Sequence, residues 1–81
     1  MPDNPQESQE QLLALARTVM PFGKYKGTRI ADLPVAYLEW FARKGMPKGK
    51  LGEQLQLTLT IKSNGLDHIL HQLKAMDHGN Q

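Results

Sequence analysis

The stretch Phe22-Gly-Lys-Tyr-Lys-Gly-Thr-Arg-Ile30 decides how the chain is read. Two glycines bracket a three-residue tip, Lys24-Tyr25-Lys26, and apolar residues stand outside them. Glycine supplies the positive φ that a tight reversal needs, so the stretch predicts a short β-hairpin with Phe22 and Ile30 directed to the core. Pro21 stops whatever precedes it.

Working outward, residues 7–20 place Leu12, Leu13, Leu15, Ala16, Val19 and Met20 on one side of a helical wheel. Asn4 can cap that helix, Pro5 suits its first turn, and Glu7 stands three residues after the cap. On the other side, Asp32-Leu33-Pro34 opens a second helix in which Val35, Tyr37, Leu38 and Phe41 share a broad face. Glu39 and Arg43 lie opposite that face, and Trp40 sits at its boundary, one turn before Lys44. Tyr37 and Trp40 are expected at the core or its edge, because an aromatic at helical spacing is more often packing than ligand contact. Gly45 is the expected C-cap, and Pro47 forbids continuation.

Residues 51–63 admit two readings. Leu55, Leu57, Leu59 and Ile61 alternate with Gln56, Thr58, Thr60 and Lys62, as in a strand. The same residues on a helix gather Glu53, Gln56, Thr60 and Ser63 into one polar stripe, with leucines around most of the remainder. The length favours helix, since strands usually run about 5–6 residues. After Asn64-Gly65, Leu66, Ile69, Leu70, Leu73 and Met76 form the apolar face of a last helix, opposite Asp67, His68, His71 and Lys74. The predicted fold is α+β: a short β-hairpin packed against three or four α-helices. The 81 residues make one domain, with 1–5 and 77–81 expected as loose tails.

Composition narrows the function. A chain this short buries only about 60–65 % of the surface it exposes when unfolded, which leaves little room for an enclosed catalytic pocket. There is no cysteine, so disulfides, thiolate zinc sites and a cysteine nucleophile are excluded. The N-terminus carries no basic start and no apolar run, and no stretch approaches the ~20 apolar residues of a membrane span. The cytoplasm is the expected address, without membrane association. Positive charge is concentrated in the middle: residues 17–50 hold eight bases and two acids, whereas the flanks hold two bases and six acids. Such asymmetry fits an anion-facing surface, or a solvated face whose charges the fold interleaves with acids from the flanks.

Two blocks carry a family resemblance. The run Met20-Pro-Phe-Gly-Lys-Tyr-Lys-Gly-Thr-Arg-Ile-Ala-Asp-Leu-Pro-Val-Ala-Tyr-Leu-Glu-Trp-Phe41 resembles short bacterial proteins of unknown function labelled putative quorum-sensing-regulated virulence factors. The runs Gly45-Met-Pro-Lys-Gly-Lys-Leu-Gly-Glu-Gln-Leu-Gln-Leu57 and Ile61-Lys-Ser-Asn-Gly-Leu66 extend it, so that it spans roughly residues 19–73. The resemblance implies a helix after Lys50, although Thr58 and Thr60 depart from good helix formers. The first block also resembles an accessory element appended to some DNA-processing exonucleases, where it stands beside a separate nuclease domain. No segment here matches that nuclease domain, and neither resemblance supplies a catalytic residue.

The best candidate site is the glycine-flanked tip. Lys24 and Lys26 supply charge, Tyr25 offers a π-face on which a base can stack, and Arg29 adds a cation on the returning arm. The plainer reading is a solubilised turn whose lysines protect an edge. The spacing is not that of a Walker loop. Lys48 and Lys50 repeat the theme at the start of the next helix, where a phosphate is favoured, or else serve a plain connector. His68 and His71 stand three apart with Asp67 adjacent, but a fourth ligand is missing and His78 would have to fold back. No metal and no cofactor is therefore expected. The acids form no paired motif, and Ser8 and Ser63 have no neighbouring base, so no catalytic residue is assigned.

The sequence thus predicts a non-enzymatic nucleic-acid-binding or accessory module. Lys24, Tyr25, Lys26 and Arg29 would contact DNA or RNA, with Lys48 and Lys50 in support. The alternative is a protein-interaction or regulatory module, docking on a partner or on a second copy of itself through the apolar 51–61 helix.

Overall fold

The computed structural model describes residues 5–79, with side chains described from 10 to 76. Among the described residues there are four α-helices: α1 (Pro5–Arg17), α2 (Val35–Lys44), α3 (Lys50–Ser63) and α4 (Asp67–Gly79). A one-turn 3₁₀ helix, Ile30–Asp32, precedes α2. α3 is central and packs against α1, α2 and α4, while α1 also lies along α4. Of the expected loose tails, residues 1–4 and 80–81 lie outside the described residues, whereas Pro5 opens α1 and residues 77–79 close α4.

The α+β expectation is overturned: no strand and no sheet occurs among the described residues, and the fold is helical. The 18–30 segment still doubles back. Ile30 N–H donates to Thr18 O (2.9 Å), Met20 N–H to Thr28 O (2.7 Å) and Gly27 N–H to Met20 O (2.8 Å). Only one antiparallel bridge results, Val19 with Arg29. Pro21 has no N–H to extend a ladder. Two successive turns, closed by Lys26 N–H to Gly23 O (3.1 Å) and Thr28 N–H to Tyr25 O (2.9 Å), use up the residues a hairpin would pair. The chain then enters the 3₁₀ helix at Ile30 with no third strand to support a sheet. Ile30 is fully buried as expected, but Phe22 is 44 % exposed. The same crossing shortens α1, which stops at Arg17 rather than Met20. Val19 is in the bridge, and Met20 precedes a proline, where helical backbone is disfavoured.

α3 resolves the ambiguous segment as helix. Gly52, Leu55, Thr58, Leu59 and Ile61 are buried, whereas Leu57 is only half-buried. Burial therefore follows the helical period, since a strand would turn Thr58 away from the leucines. The two threonines are accommodated by back-bonding: Thr58 Oγ1 donates to Gln54 O (2.9 Å) and Thr60 Oγ1 to Gln56 O (3.0 Å). α2 ends as expected, with Gly45 N–H on Phe41 O at 2.7 Å.

The first turn of α3 lies directly on the connector that leads into it. A Cβ placed on Gly52 would stand 1.8 Å from the Pro47 carbonyl oxygen, which is backbone and cannot rotate away. Gly52→Ala should therefore destabilise the fold by about 2–3 kcal/mol, a drop of roughly 10 °C or more in Tm for a domain this small. Thermal unfolding followed by circular dichroism checks this, and an unchanged Tm would show that the connector yields freely.

Candidate nucleic-acid interface

The turn and α2 meet through their aromatic side chains. The chain has five aromatics (two Phe, two Tyr and one Trp), and all five fall in this one cluster. Tyr37 is its hub: its ring meets Tyr25 edge-on at 4.6 Å and Phe41 edge-on at 5.1 Å. It lies parallel to Trp40, with an interplanar angle of 5° and centroids 6.4 Å apart. Phe22 joins through Phe41, edge-on at 6.5 Å. Edge-on and offset pairs are the favourable aromatic geometries.

The cluster is not closed over. Trp40 and Phe22 are each 44 % exposed, and with Tyr25, Tyr37 and Phe41 they line a groove of about 590 Å³ between the turn and α2. Lys24 lines the same groove, with Nζ 5.5 Å from the centroid of the Tyr25 ring. Among the described residues, no carboxylate contributes to the lining. Helical spacing puts Lys44 on the Trp40 side of α2, one turn on, and Glu39 on the far side.

The predicted site residues divide in space. Lys24 and Lys26 are exposed on the turn, Arg29 is half-exposed at its base, and Tyr25 is half-buried against Tyr37. Lys48 is exposed in the connector. Lys50 opens α3 and lines a different groove, of mixed polar and apolar character, between α1 and α3 that includes Glu10, Glu53, Gln54, Met46 and Leu57 but no residue of the turn. Among the described residues, none of Lys24, Lys26, Arg29, Lys48 or Lys50 forms a salt bridge. Two lysines outside this set are tied down: Lys74 pairs with Asp32 at 2.5 Å, and Lys62 Nζ donates to Leu33 O at 2.8 Å.

Sequence reasoning placed Trp40 at the edge of the core and Phe22 inside it. Trp40, half-exposed and packed on Tyr37 and Phe41, stands at that edge, whereas Phe22 presents open ring surface instead of entering the core. The signal for Trp40 was its boundary position on the wheel beside Lys44. His68 and His71 are exposed on α4, and no group of three or more metal-ligating side chains occurs among the described residues. His78 lies outside the described side chains. Among the described residues no helix is long and apolar enough to cross a membrane.

The family model described as "Putative quorum-sensing-regulated virulence factor" matches residues 8–73. The chain belongs to this family. "Uncharacterized protein YpeB" of Escherichia coli strain K12 is 59 % identical over 66 residues, covering 80 % of this chain and 92 % of the relative. The protein of the same name from Escherichia coli O157:H7 matches to the same extent. No solved structure matches the chain. The span shared with the family contains the turn, α2, α3 and every ring of the groove.

Gly23 is the joint between turn and cluster. Its φ is +80°, and an added Cβ would stand 3.2 Å from the Tyr37 hydroxyl. Gly23→Ala should cost about 1–2 kcal/mol, most of it from the left-handed backbone. Part of that loss should be relieved in a Tyr37→Phe background, where the hydroxyl is gone. Equilibrium denaturation of the two single variants and the double variant measures this coupling. Strictly additive losses would show that the alanine does not touch Tyr37.

Proposed function

We propose that this member of the family is a non-enzymatic, cytoplasmic nucleic-acid-binding or accessory module that uses the glycine-flanked turn. One observation carries the reading. Lys24 and Lys26 of the turn are exposed and, among the described residues, without a carboxylate partner, and they stand beside open aromatic rings. Ammonium groups free of carboxylates can neutralise phosphates, and the release of condensed counterions then drives binding. The turn holds its charges on backbone fixed at both ends, by Gly27 N–H to Met20 O and by Ile30 N–H to Thr18 O. Less ordering is therefore required on association.

Lys24 and Lys26 supply the phosphate contacts at the tip, with Arg29 at its base. Tyr25, packed on Tyr37 and under Lys24, also fixes the tip against α2. Lys48 and Lys50 would meet the strand elsewhere, because Lys50 faces another groove. The rival reading, docking through α3, draws on an apolar surface most of which lies inside the chain itself: Leu55 is 0 %, Leu59 9 % and Ile61 7 % exposed, and Leu51 and Leu57 are half-buried.

A Lys24→Ala/Lys26→Ala variant should keep its fold, since both side chains are exposed. It should lose affinity for DNA and RNA, with the slope of log K against log salt flattened by roughly 1–2. A salt-series titration by fluorescence anisotropy measures this. Unchanged binding by the double variant would move the site elsewhere, and no binding by the parent chain would end the proposal.

A further inference from the structure

The groove has a property that charge alone does not use. Trp40 and Phe22, the two half-exposed rings, stand on opposite partners, α2 and the turn. The Trp40 plane is held within 5° of Tyr37, and its edge is packed against Phe41 at 5.1 Å. These contacts orient the indole before anything binds. A planar, apolar ring face, fixed in orientation and left open, is the element on which nucleobases stack irrespective of sequence.

We propose that this groove binds single-stranded nucleic acid by stacking unpaired bases on Trp40 and Phe22, which makes the protein selective for single strands over duplex. The inference rests on the nucleic-acid reading above and specifies the strandedness of its ligand. In a duplex the base faces are already stacked on one another, and only edges and backbone are offered. Reaching Trp40 would then require a base to leave the stack, at a cost a single strand does not incur. Charge selects this occupant over an apolar or proline-rich peptide, which would also suit an aromatic groove. The lining carries Lys24 and no acid, Lys26 is adjacent and unpaired, and Lys44 follows Trp40 by one turn. A neutral peptide leaves those cations without a role. A single strand uses rings and cations together, with bases in the groove and phosphates along its rim.

Trp40 is the sole tryptophan, so its emission reports the groove directly. The full chain is titrated with an oligothymidine of about 15 nucleotides, in the range of single-strand site sizes. A duplex of equal length, an abasic oligonucleotide of equal charge and a proline-rich peptide are titrated alongside. The oligothymidine should quench Trp40 and bind about tenfold or more tightly than the duplex or the abasic strand, neither of which should quench. With labelled oligothymidine followed by anisotropy, Trp40→Ala should weaken binding about tenfold while leaving the abasic strand's affinity unchanged. Phe22→Ala, on the turn and outside any helix, should act in the same direction and guards against a folding defect in the first variant. Equal affinity for all three polyanions, with no quenching, would overturn base stacking but leave the electrostatic reading intact. Binding of none of them would overturn both. Quenching by the peptide, with no response to oligothymidine, would assign the groove to a protein ligand and sink the inference.

Discussion

The burial of Ile30, Ala31 and Leu33 is the constraint on which the other parts depend. Ile30 and Leu33 are fully buried and Ala31 is 3 % exposed, in a segment that makes a single 3₁₀ turn. Each large apolar side chain removed from water there contributes about 1.5–3 kcal/mol. Polar ties from three sides hold the wedge in register. Ile30 N–H reaches back to the end of α1 at Thr18 O, Lys62 of α3 caps Leu33 O, and Lys74 of α4 pairs with Asp32. The turn ends where this wedge begins, and α2 starts where it ends. The distance between turn and α2, and so the width of the aromatic groove, is therefore set by a segment that contributes no residue of its own to the groove.

The helices were legible because their signals are local. Pro34 and Gly45 bracket α2, and the apolar spacing of 66–76 marks α4. Residues 51–63 were legible only in part. Alternation and helical spacing coexist there, and burial of Thr58 beside exposure of Gln56 is what separates them. The hairpin was misread for a physical reason. Glycines with positive φ flanking a polar tip are required equally by a two-stranded ladder and by a loop closed with a few backbone bonds. Which one forms depends on whether further strands exist to pair with, and that is a property of the whole chain. Pro21 was the one local hint against a ladder.

The candidate site was legible in its charges and in Tyr25, and not in the rings of Trp40 and Phe22. Wheel positions put Tyr37 and Phe41 on one face of α2, but they cannot say what lies over that face. Among the described residues only the turn lies there, and Trp40 and Phe22 stay half-exposed. The basic middle of the sequence was likewise one feature in one dimension and two in three. Lys24 and Lys26 stand at the aromatic groove, whereas Lys50 belongs to the separate groove beside α1. Proximity along the chain overstated how much charge one ligand can meet at once.

A thin core makes the open rings informative. In a domain of 81 residues, complete burial of a tryptophan and a phenylalanine would add a sizeable part of the total stability, which for proteins of this size is only about 5–10 kcal/mol. Most of the other large apolar side chains are turned inward, α3 included. Val19, Leu66 and Met76 are also left exposed, but the two rings forgo that gain together, at a place where the fold gathers all five aromatics and, among the described residues, keeps a cation without a carboxylate partner. Random surface exposure scatters single apolar residues and mixes both signs of charge. Concentration of rings, absence of acid and a fixed backbone turn at the same spot are three independent departures from that pattern, and a stacking, phosphate-facing surface requires all three.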